Sequence, residues 1–466
     1  MLTRLHVQGF KNLLDVEVRF GPFTCIAGTN GVGKSNLFDA IHFLYLLTQH
    51  PIMEAAHRLR ETETRALDPR SLFTSFGDFR SKELRLTADM ILDREVEDDF
   101  GVGAEAAIST VRYTVAFRLN DGATPERLEL VEETLEPIRL ATARRDLGPW
   151  ASKGFKASAV TGRRSKPFIS TEAGDSGPVV QMHQDGHGGR KFPAPRSSVT
   201  ALGNQATSDF PSILAARREI ASWKTLLLEP SAMRAAASYR DPKVIDPRGA
   251  YLPAAVERLR LADEEGRVYA EIANRLADLL EDVQEVRVID DEKTETWTLE
   301  VRARDGVFHP ARSLSDGTLR FLVLTTLAID PDVRGLVCLE EPENGIHPAR
   351  VPALVELLRE IAVDPAEEVG ADNPLRQVII NTHSPVVVEN VHPDELVYLS
   401  SKSASKGGSI GQVAHPQIPP GSWRLPSQNQ EHRLGRGDVA PYLRSLPPRV
   451  DKPTQLWLDC FEPRPL

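Results

Sequence analysis

The feature that most constrains the fold is a glycine-rich loop at residues 28–35, which has the sequence Gly-Thr-Asn-Gly-Val-Gly-Lys-Ser. An apolar run at 23–27 precedes it, and apolar residues at helical spacing follow it from 36 to 44. Strand, loop and helix in this order are typical of a phosphate-binding loop, whose glycines let backbone N–H groups close around phosphate oxygens. The pattern therefore predicts that Lys34 contacts the β- and γ-phosphates of a nucleotide and that Ser35 ligates Mg²⁺.

The composition is that of an ordinary globular chain with an acidic balance. A chain of 466 residues is too long for one compact core, so two or three lobes are expected. Hydrophobic residues make up 41% and charged residues 26%, which is usual for globular proteins. The net charge of −10 argues against a general polyanion binder but leaves room for a local basic patch.

The cysteines and apolar runs bear on redox chemistry and location. Cys25 and Cys338 fall in predicted core strands and Cys460 lies near the end, without any Cys-x-x-Cys pair. This spacing indicates neither a zinc site nor a disulfide framework. The N-terminus lacks the apolar segment of a signal peptide. The longest apolar run, 321–329, is too short to span a bilayer. We therefore expect a cytoplasmic protein without a membrane partner.

Two longer regions show clear periodicity. Apolar and polar residues alternate at 84–90, 111–117 and 128–132, which predicts an antiparallel meander attached to the nucleotide-binding part. Residues 210–284 instead carry apolar residues at helical spacing, interrupted by prolines. This second region predicts a compact helical arm or lid made of short helices.

Residues 141–200 differ from the rest of the chain, because they hold ten basic and four acidic residues among many glycines and serines. The local surplus of positive charge could contact a phosphate backbone. The alternative is a mobile insertion with loosely held hairpins. His183, Asp185 and His187 could suggest a metal site, although the surrounding glycines favour a flexible loop.

Two short segments have possible roles near a nucleotide. Gly-Phe-Lys-Asn at 9–12 precedes the glycine-rich loop, so Lys11 either adds positive charge to the nucleotide site or is a solvated turn lysine. Ser-Leu-Ser-Asp-Gly-Thr at 313–318 opens an apolar helix. Ser315 is a good N-cap there, and the free N–H groups of the helix end can bind an anion.

Two apolar strands end in candidate catalytic residues. Glu340 and Glu341 follow the strand at 336–339, and ligand sites in open α/β sheets lie at such strand ends. One carboxylate can hold Mg²⁺ or its water, while the next can orient or deprotonate an attacking water. His383 follows the strand at 377–382, where it can hydrogen-bond a γ-phosphate or the attacking water, or simply the backbone.

The order of these motifs resembles the ABC-type ATPase heads of the SMC/RecF/OLD superfamily, and is most similar to the stand-alone OLD-like AAA ATPases of phage-defence modules. The resemblance implies an α/β fold: an ABC-type P-loop NTPase head with a mixed sheet and an antiparallel β-subdomain, interrupted by a helical arm or lid. It divides the chain into a first half of the head, a basic loop-rich insertion, a helical arm or lid, a second half of the head and a loop-rich tail, at 1–140, 141–209, 210–284, 285–400 and 401–466.

The same resemblance implies a role for each motif. The catalytic residues would be Glu341, His383 and Lys34. The ATP contacts would be Lys11, Asn30, Gly31, Gly33, Lys34, Ser35 and Asn36. Ser315 and Gly317 would form the signature that caps ATP bound to a second subunit. The Mg²⁺ ligands would be Ser35 and Glu340.

The sequence departs from the family pattern at three places. The metal-supporting acid is usually Asp, and here it is Glu340. Residues 70–92 offer no convincing glutamine for the usual Q-loop. The residues after His383 show no ordered carboxylate set of the Toprim nuclease that OLD proteins carry. Any nuclease is therefore expected to be a separate protein.

Two functions fit these expectations. The first is an ATP-driven switch in phage defence, in which nucleotide closes a homodimer, or a larger oligomer of dimers, and a separate nuclease or toxin acts as effector. The second is a RecF-like repair or maintenance ATPase that binds DNA directly. A transporter ATPase is disfavoured by the large insertion within the head.

Overall fold

The computed structural model describes residues 1–59, 68–120, 122, 127–175, 177–183, 189–280, 283–425 and 432–435. The strands are β1 Leu2–Phe10, β2 Leu13–Arg19, β3 Phe23–Ala27, β4 Ser75–Phe76, β5 Phe79–Arg80, β6 Glu83–Ile91, β7 Glu95–Glu97, β8 Gly103–Glu105, β9 Thr110–Asn120, β10 Arg127–Pro137, β11 Ile169–Gly174, β12 Gly177–His183, β13 Gly189–Pro193, β14 Lys224–Leu226, β15 Ala237–Ser238, β16 Val283–Asp291, β17 Thr296–Ala303, β18 Phe308–Pro310, β19 Gly335–Glu340, β20 Arg376–Thr382, β21 Leu396–Lys406 and β22 Ser409–Gln417.

The α-helices are α1 Lys34–Gln49, α2 Ile52–Arg58, α3 Leu140–Asp146, α4 Lys153–Ala159, α5 Pro211–Ala221, α6 Pro230–Met233, α7 Leu252–Ala262, α8 Val268–Leu279, α9 Asp316–Ile329, α10 Val351–Ile361 and α11 Pro385–Glu389. Short 3₁₀ helices lie at Pro69–Leu72, Ala194–Arg196, Ala311–Ser313, Pro348–Arg350 and Pro393–Glu395.

A six-stranded sheet in the order β14-β19-β20-β3-β21-β22 forms the centre of the fold. Every neighbouring pair is parallel except β21 and β22. In this register Asn381 lies opposite both Glu340 and Ile26, while Thr382 lies opposite Ala27. The ends of β19, β20 and β3 therefore meet at one edge, where the three main sequence motifs begin.

Both faces of the central sheet are covered. Along β3, Cys25 and Ala27 belong to one buried apolar cluster and Ile26 belongs to the other. Helix α1 packs on the Ile26 side, and α9 and α10 pack on the opposite side. This two-sided burial explains why β3 and β19 are almost continuously apolar.

An eight-stranded antiparallel sheet covers the outer side of α1, in the order β13-β12-β11-β10-β9-β6-β1-β2. It contains the predicted meander as β6, β9 and β10. The predicted combination of a mixed α/β sheet with an antiparallel β-subdomain is confirmed. A smaller sheet, β15-β17-β16 with β18 beside β17, packs against α7 and α8.

The segment at 210–284 differs from the predicted arm or lid. It does hold four helices, and prolines lie within the first two positions of α5, α6 and α7. However, β14 pairs in parallel with β19, so this strand is part of the central sheet. The prediction missed β14 because it has only three residues between two helices.

The segment at 141–209 is more ordered than a loop-rich insertion, because it holds α3, α4 and the three strands β11–β13. Its last part is anchored to β10, where the buried Glu133 accepts hydrogen bonds from the N–H groups of Ala201 at 2.7 Å and Leu202 at 2.9 Å. The Tyr113 hydroxyl donates to the same carboxylate, and burial raises the pKa of Glu133 to about 7.

Of the three residues considered as a metal site, His183, Asp185 and His187, the structure describes only His183. His183 shares a hydrogen bond of 2.8 Å with the Ser170 hydroxyl, whereas Asp185 and His187 lie outside the described residues.

The tail at 401–466 begins as a long hairpin, since β21 and β22 pair antiparallel as far as Gln417. Beyond it, Arg424 is buried and donates through Nε to the carbonyl of Asp394 at 2.8 Å and through Nη2 to Thr24 Oγ1 at 3.0 Å. Burial lowers the pKa of Arg424 to about 9. The prediction of a loop-rich tail is therefore wrong for its first part.

Cys25 and Cys338 are buried free thiols, as predicted for core strands, and Cys460 lies outside the described residues. None of the helices in the described ranges is both long and apolar enough to cross a bilayer.

Candidate nucleotide-binding and catalytic site

The glycine-rich loop joins the end of β3 to the start of α1, as predicted. Gly31 has φ 80° and Gly33, the N-cap of α1, has φ 111°, a left-handed backbone that glycine adopts without steric cost. A Cβ atom on Gly33 would lie 2.5 Å from Oδ1 of Asn12. Glycine at position 33 is therefore required both by the backbone conformation and by the approach of Asn12.

Asn12 holds the loop from behind. Its Nδ2 donates to the carbonyl oxygen of Val32 at 3.1 Å, and its Oδ1 accepts from Nδ2 of Asn36 at 2.8 Å. This residue was missed as a site residue, although the Gly-Phe-Lys-Asn segment contains it. Asn36, a predicted ATP contact, is thus placed beside the loop with its amide group bonded to Asn12.

Lys11 lies close to this network but points its charge at α1. It has a left-handed backbone with φ 49°, and its Nζ donates to Oδ2 of Asp39 at 2.6 Å. Both side chains are largely buried. The predicted contribution of Lys11 to the nucleotide site stays a prediction.

Lys34 is buried at the base of the loop. Its Nζ donates to the carbonyl oxygens of Gly28 at 2.7 Å and Thr29 at 3.0 Å. Burial lowers the pKa of Lys34, and the neighbouring acidic residues Glu341, Glu343 and Glu340 oppose that shift. The ammonium group therefore lies in the electrostatic field of the carboxylates at the end of β19 and in the turn after it. Asn30 and Gly31 form the exposed tip of the same loop.

Ser35 and Glu340 meet although they lie 305 positions apart in the sequence, with Ser35 Oγ donating to Glu340 Oε2 at 3.1 Å. A hydroxyl and a carboxylate are the oxygen ligands that Mg²⁺ prefers. The two predicted metal ligands are therefore close enough to hold one ion together. The Glu340 side chain thereby connects the end of β19 to the start of α1.

The segment after β19, residues 341–346, is called the catalytic turn below. Glu341 has φ 48°, which is rare for a residue with a side chain. Its N–H donates to both the carbonyl oxygen and Oδ1 of Asn381, each at 3.1 Å. Its carboxylate pairs with Nδ1 of His383, whose side chain is 49% exposed. The structure thus brings the predicted catalytic carboxylate and the predicted switch histidine together.

Glu343 is a further acidic residue of the catalytic turn that the sequence did not mark as a site residue. It is 8% exposed and accepts a hydrogen bond from the Thr382 hydroxyl. Burial raises the pKa of Glu343, and the nearby Glu341 carboxylate acts in the same direction. Ligand atoms of Glu341, Glu343 and His383 lie within 4.8 Å of one another, so this trio is a second set that could hold a metal ion.

The 313–318 segment lies against the catalytic turn. Ser315 caps α9, since its Oγ accepts from the N–H of Thr318 at 3.2 Å, and its side chain is exposed. A Cβ on Gly317 would lie 3.1 Å from the carbonyl oxygen of Gly345. Ser315 is bonded to Thr318, and Gly317 lies against the catalytic turn. Lys34 and Ser35 are instead bonded to the glycine-rich loop and to Glu340.

Arg234, from the segment predicted as an arm, holds this helix start in place. Its Nη2 donates to the carbonyl oxygen of Leu314 at 3.1 Å and pairs with the carboxylate of Asp316. Nothing in the sequence around Arg234 marks it as a neighbour of the 313–318 segment, because the two are 80 residues apart.

Two family models match separate parts of the chain. One, described as "AAA domain, putative AbiEii toxin, Type IV TA system", matches residues 205–389. The other, described as "AAA domain", matches residues 4–141. The two matches together cover the glycine-rich loop, the 313–318 segment, Glu340, Glu341 and His383.

Curated relatives that match parts of the chain include several DNA replication and repair proteins RecF. The protein from Porphyromonas gingivalis is 41% identical over 51 residues, which is 11% of this chain and 14% of the relative. The protein from Parabacteroides distasonis is 47% identical over 51 residues, again 11% and 14%. The protein from Paenarthrobacter aurescens is 37% identical over 67 residues, or 14% and 17%. The chain therefore spans only about a seventh of the length of these relatives.

Solved structures that are similar to this chain include the Smc head bound to the C-winged helix domain of ScpA. The TM-score is 0.47 and the sequence identity 12%, and the match covers 89% of this chain and 97% of that one. The Smc head domain with an extended coiled coil bound to the C-terminal domain of ScpA from Pyrococcus furiosus has a TM-score of 0.44 and 13% identity, over 89% and 96%.

The chain is thus similar to AAA domains over residues 4–141 and 205–389, and its glycine-rich loop lies within the first of these two matches.

Proposed function

We propose that this chain binds ATP with Mg²⁺ and hydrolyses it to ADP and phosphate. The observation that carries the proposal is the 3.1 Å hydrogen bond between Ser35 of the glycine-rich loop and Glu340 at the end of β19. This contact supports a shared Mg²⁺ site beside the glycine-rich loop, because a hydroxyl and a carboxylate are oxygen ligands that Mg²⁺ accepts. When bound, Mg²⁺ neutralises charge on the β- and γ-phosphates.

Residues of the chain bind the phosphates, accept the proton of the attacking water and orient that water. The loop N–H groups and the start of α1 bind phosphate oxygens, and Lys34 exchanges its bonds to the loop carbonyls for bonds to phosphate. Glu341 accepts the proton of the attacking water, since it sits one residue beyond the metal-binding Glu340. His383, already paired with Glu341, orients that water and contacts the γ-phosphate.

We further propose that two copies of the chain close around ATP as a switch that controls a separate effector in phage defence. The position of Ser315 argues for such a dimer. Ser315 is the exposed N-cap of α9, and a helix N-terminus can bind an anion such as a phosphate group. The match to a family whose description names a toxin of a toxin–antitoxin system is compatible with a defence role. The effector would be a nuclease or toxin carried by another protein.

Lys34→Ala tests the ATPase proposal. The variant loses the buried cation of the loop, so we expect nucleotide binding to weaken and hydrolysis to fall at least about 100-fold. Phosphate release and binding of a fluorescent ATP analogue measure the two effects. Lys406→Ala, at an exposed position on β21, is the matched control and should behave as the parent protein. Parental turnover in Lys34→Ala would refute the assignment of the loop.

A second candidate function is direct DNA binding in repair or maintenance. It is favoured by the RecF matches and by exposed basic residues around β11–β13, among them Arg163, Lys166 and Arg190. Arg164 is better left unchanged, because its guanidinium stacks on Phe168 at 5.1 Å.

Reversing Arg163, Lys166 and Arg190 to Glu tests this alternative. If these residues contact phosphates, affinity for duplex DNA should fall and the slope of log affinity against log salt should flatten by about 2 to 3. A triple reversal of Lys293, Arg304 and Lys406, which are exposed elsewhere, controls for net charge. An equal effect of the two triple variants would assign the binding to general charge, and no effect would remove DNA from the proposal.

A further inference from the structure

We propose that Glu343 and Thr382 are positioning residues for hydrolysis, because their hydrogen bond ties the catalytic turn to the end of β20 and thereby fixes the Glu341–His383 pair. This inference rests on the proposed ATPase activity. Neither residue needs to touch nucleotide for the role that we assign to it.

The direction of the hydrogen bond follows from the chemistry of the hydroxyl. Thr382 is fully buried, and its Oγ1 accepts the N–H of Ser384 at 2.8 Å. A hydroxyl has one proton to donate, and the Thr382 proton is directed to the carboxyl of Glu343. The Thr382 hydroxyl thus links Glu343 to the backbone of Ser384, so it restrains the chain on both sides of His383.

A second bridge runs beside the first. The N–H of Glu341 donates to the carbonyl oxygen and Oδ1 of Asn381, so the turn is bonded to β20 at both of its acidic positions. The left-handed backbone of Glu341 persists only when its surroundings hold it. The two bridges, Glu341 to Asn381 and Glu343 to Thr382, therefore fix where Glu341 and His383 can meet.

The environment of Glu343 fits a holding role. The side chain is 8% exposed, and its Oε2 has no hydrogen-bond partner within the described ranges of the chain. Thr382 thus supplies the side-chain bond that secures this carboxyl.

Thr382→Val removes the hydroxyl and preserves the shape of the side chain. We expect kcat to fall about 10- to 100-fold through misplacement of Glu341 and His383, with unchanged affinity for a non-hydrolysable ATP analogue. Thr325→Val is the matched control: Thr325 is a buried residue of α9 whose hydroxyl has no partner among the described residues. The control should keep the parental kcat.

Conservative variants separate positioning from mere structural support. Thr382→Ser keeps the hydroxyl, and Glu343→Gln keeps a carbonyl oxygen that accepts the hydroxyl proton, so both should retain most of the parental kcat. Glu343→Ala should match Thr382→Val, and the double variant should be no worse than either single one, because both remove the same bond.

The outcomes distinguish this inference from the ATPase proposal. A parental kcat in Thr382→Val, together with an inactive Lys34→Ala, overturns the positioning role and leaves the ATPase in place. Parental activity in Lys34→Ala overturns the ATPase proposal itself. A Glu343→Gln variant as inactive as Glu341→Gln would make Glu343 a proton acceptor and overturn positioning. If Thr382→Val does not fold, loss of activity in the folded Thr382→Ser variant overturns it equally.

Discussion

The catalytic turn and the 313–318 segment touch each other, yet their polar groups are satisfied in different ways. In the turn, Glu341 and Glu343 are bonded to β20 and to His383 within the same chain. At the start of α9, the exposed Ser315 is hydrogen-bonded to the hydroxyl and the N–H of Thr318, one turn further along the helix. One half of the proposed site is therefore assembled inside each chain, while Ser315 of the other half is exposed at the surface.

Glu341→Gln should give the largest effect within this comparison. The amide keeps the shape of the side chain but cannot accept a proton from water, so hydrolysis should slow by about 100-fold or more while ATP still binds. Single-turnover phosphate release measures the rate, and size-exclusion chromatography with ATP measures the dimer that should accumulate. Equal hydrolysis by the two proteins would move the base to Glu340 or Glu343.

Mixed dimers test whether the outward-facing half completes a partner's site. Gly317→Asp is unsuitable for this purpose, because its side chain would press on Gly345 of its own chain. Ser315→Arg avoids that contact, since Ser315 is exposed. Lys34→Ala and Ser315→Arg should each be inactive as homodimers.

A symmetric mixture of the two variants should contain about half mixed dimers, each with one intact site, so activity should return to about a quarter of the parental value. Tandem purification with two affinity tags isolates the mixed dimer and removes the dependence on subunit exchange. A folded mixed dimer without any hydrolysis would exclude independent composite sites. Activity in the Ser315→Arg homodimer would exclude Ser315 from the site.

Ser315→Ala should give the smallest effect. Loss of the N-cap should lower the free energy of unfolding by about 1 kcal/mol, measured by denaturant titration. Hydrolysis should fall by only about two- to tenfold, the worth of one hydrogen bond to nucleotide. If Ser315→Ala lost as much hydrolytic activity as Ser315→Arg, the hydroxyl group itself, and not the free space around it, would be essential for hydrolysis.

The sequence predicted those parts of the site in which chemistry and local pattern coincide. Residues 28–35 fix their own loop conformation through glycine, and Glu340, Glu341 and His383 directly follow apolar strands. Parallel pairing then brings the strand ends together at one sheet edge. The resemblance to ABC-type ATPase heads supplied the pairing of Ser35 with Glu340 as metal ligands, and the two side chains lie 3.1 Å apart.

Contacts between distant polar residues could not be predicted in the same way. Asn12, Arg234 and the Glu343–Thr382 pair act through side chains whose partners are set by packing across elements. Hairpins were one interpretation of 141–200, but the positions of β11–β13 were not predicted, because glycine and serine around them obscure the alternation of Val180 and Met182. Short elements such as β14 give too few residues for a period to be recognised.

The left-handed backbone of Glu341 lowers the stability of the fold at a position where the proposed reaction needs a carboxylate. A left-handed conformation costs a residue with a Cβ about 1–2 kcal/mol relative to glycine. Glycine at 341 would therefore stabilise the fold while removing the carboxylate that the reaction needs. Selection for stability alone would drive this position away from glutamate, so improving the thermal resistance of the protein and keeping it active are opposing demands at this single residue.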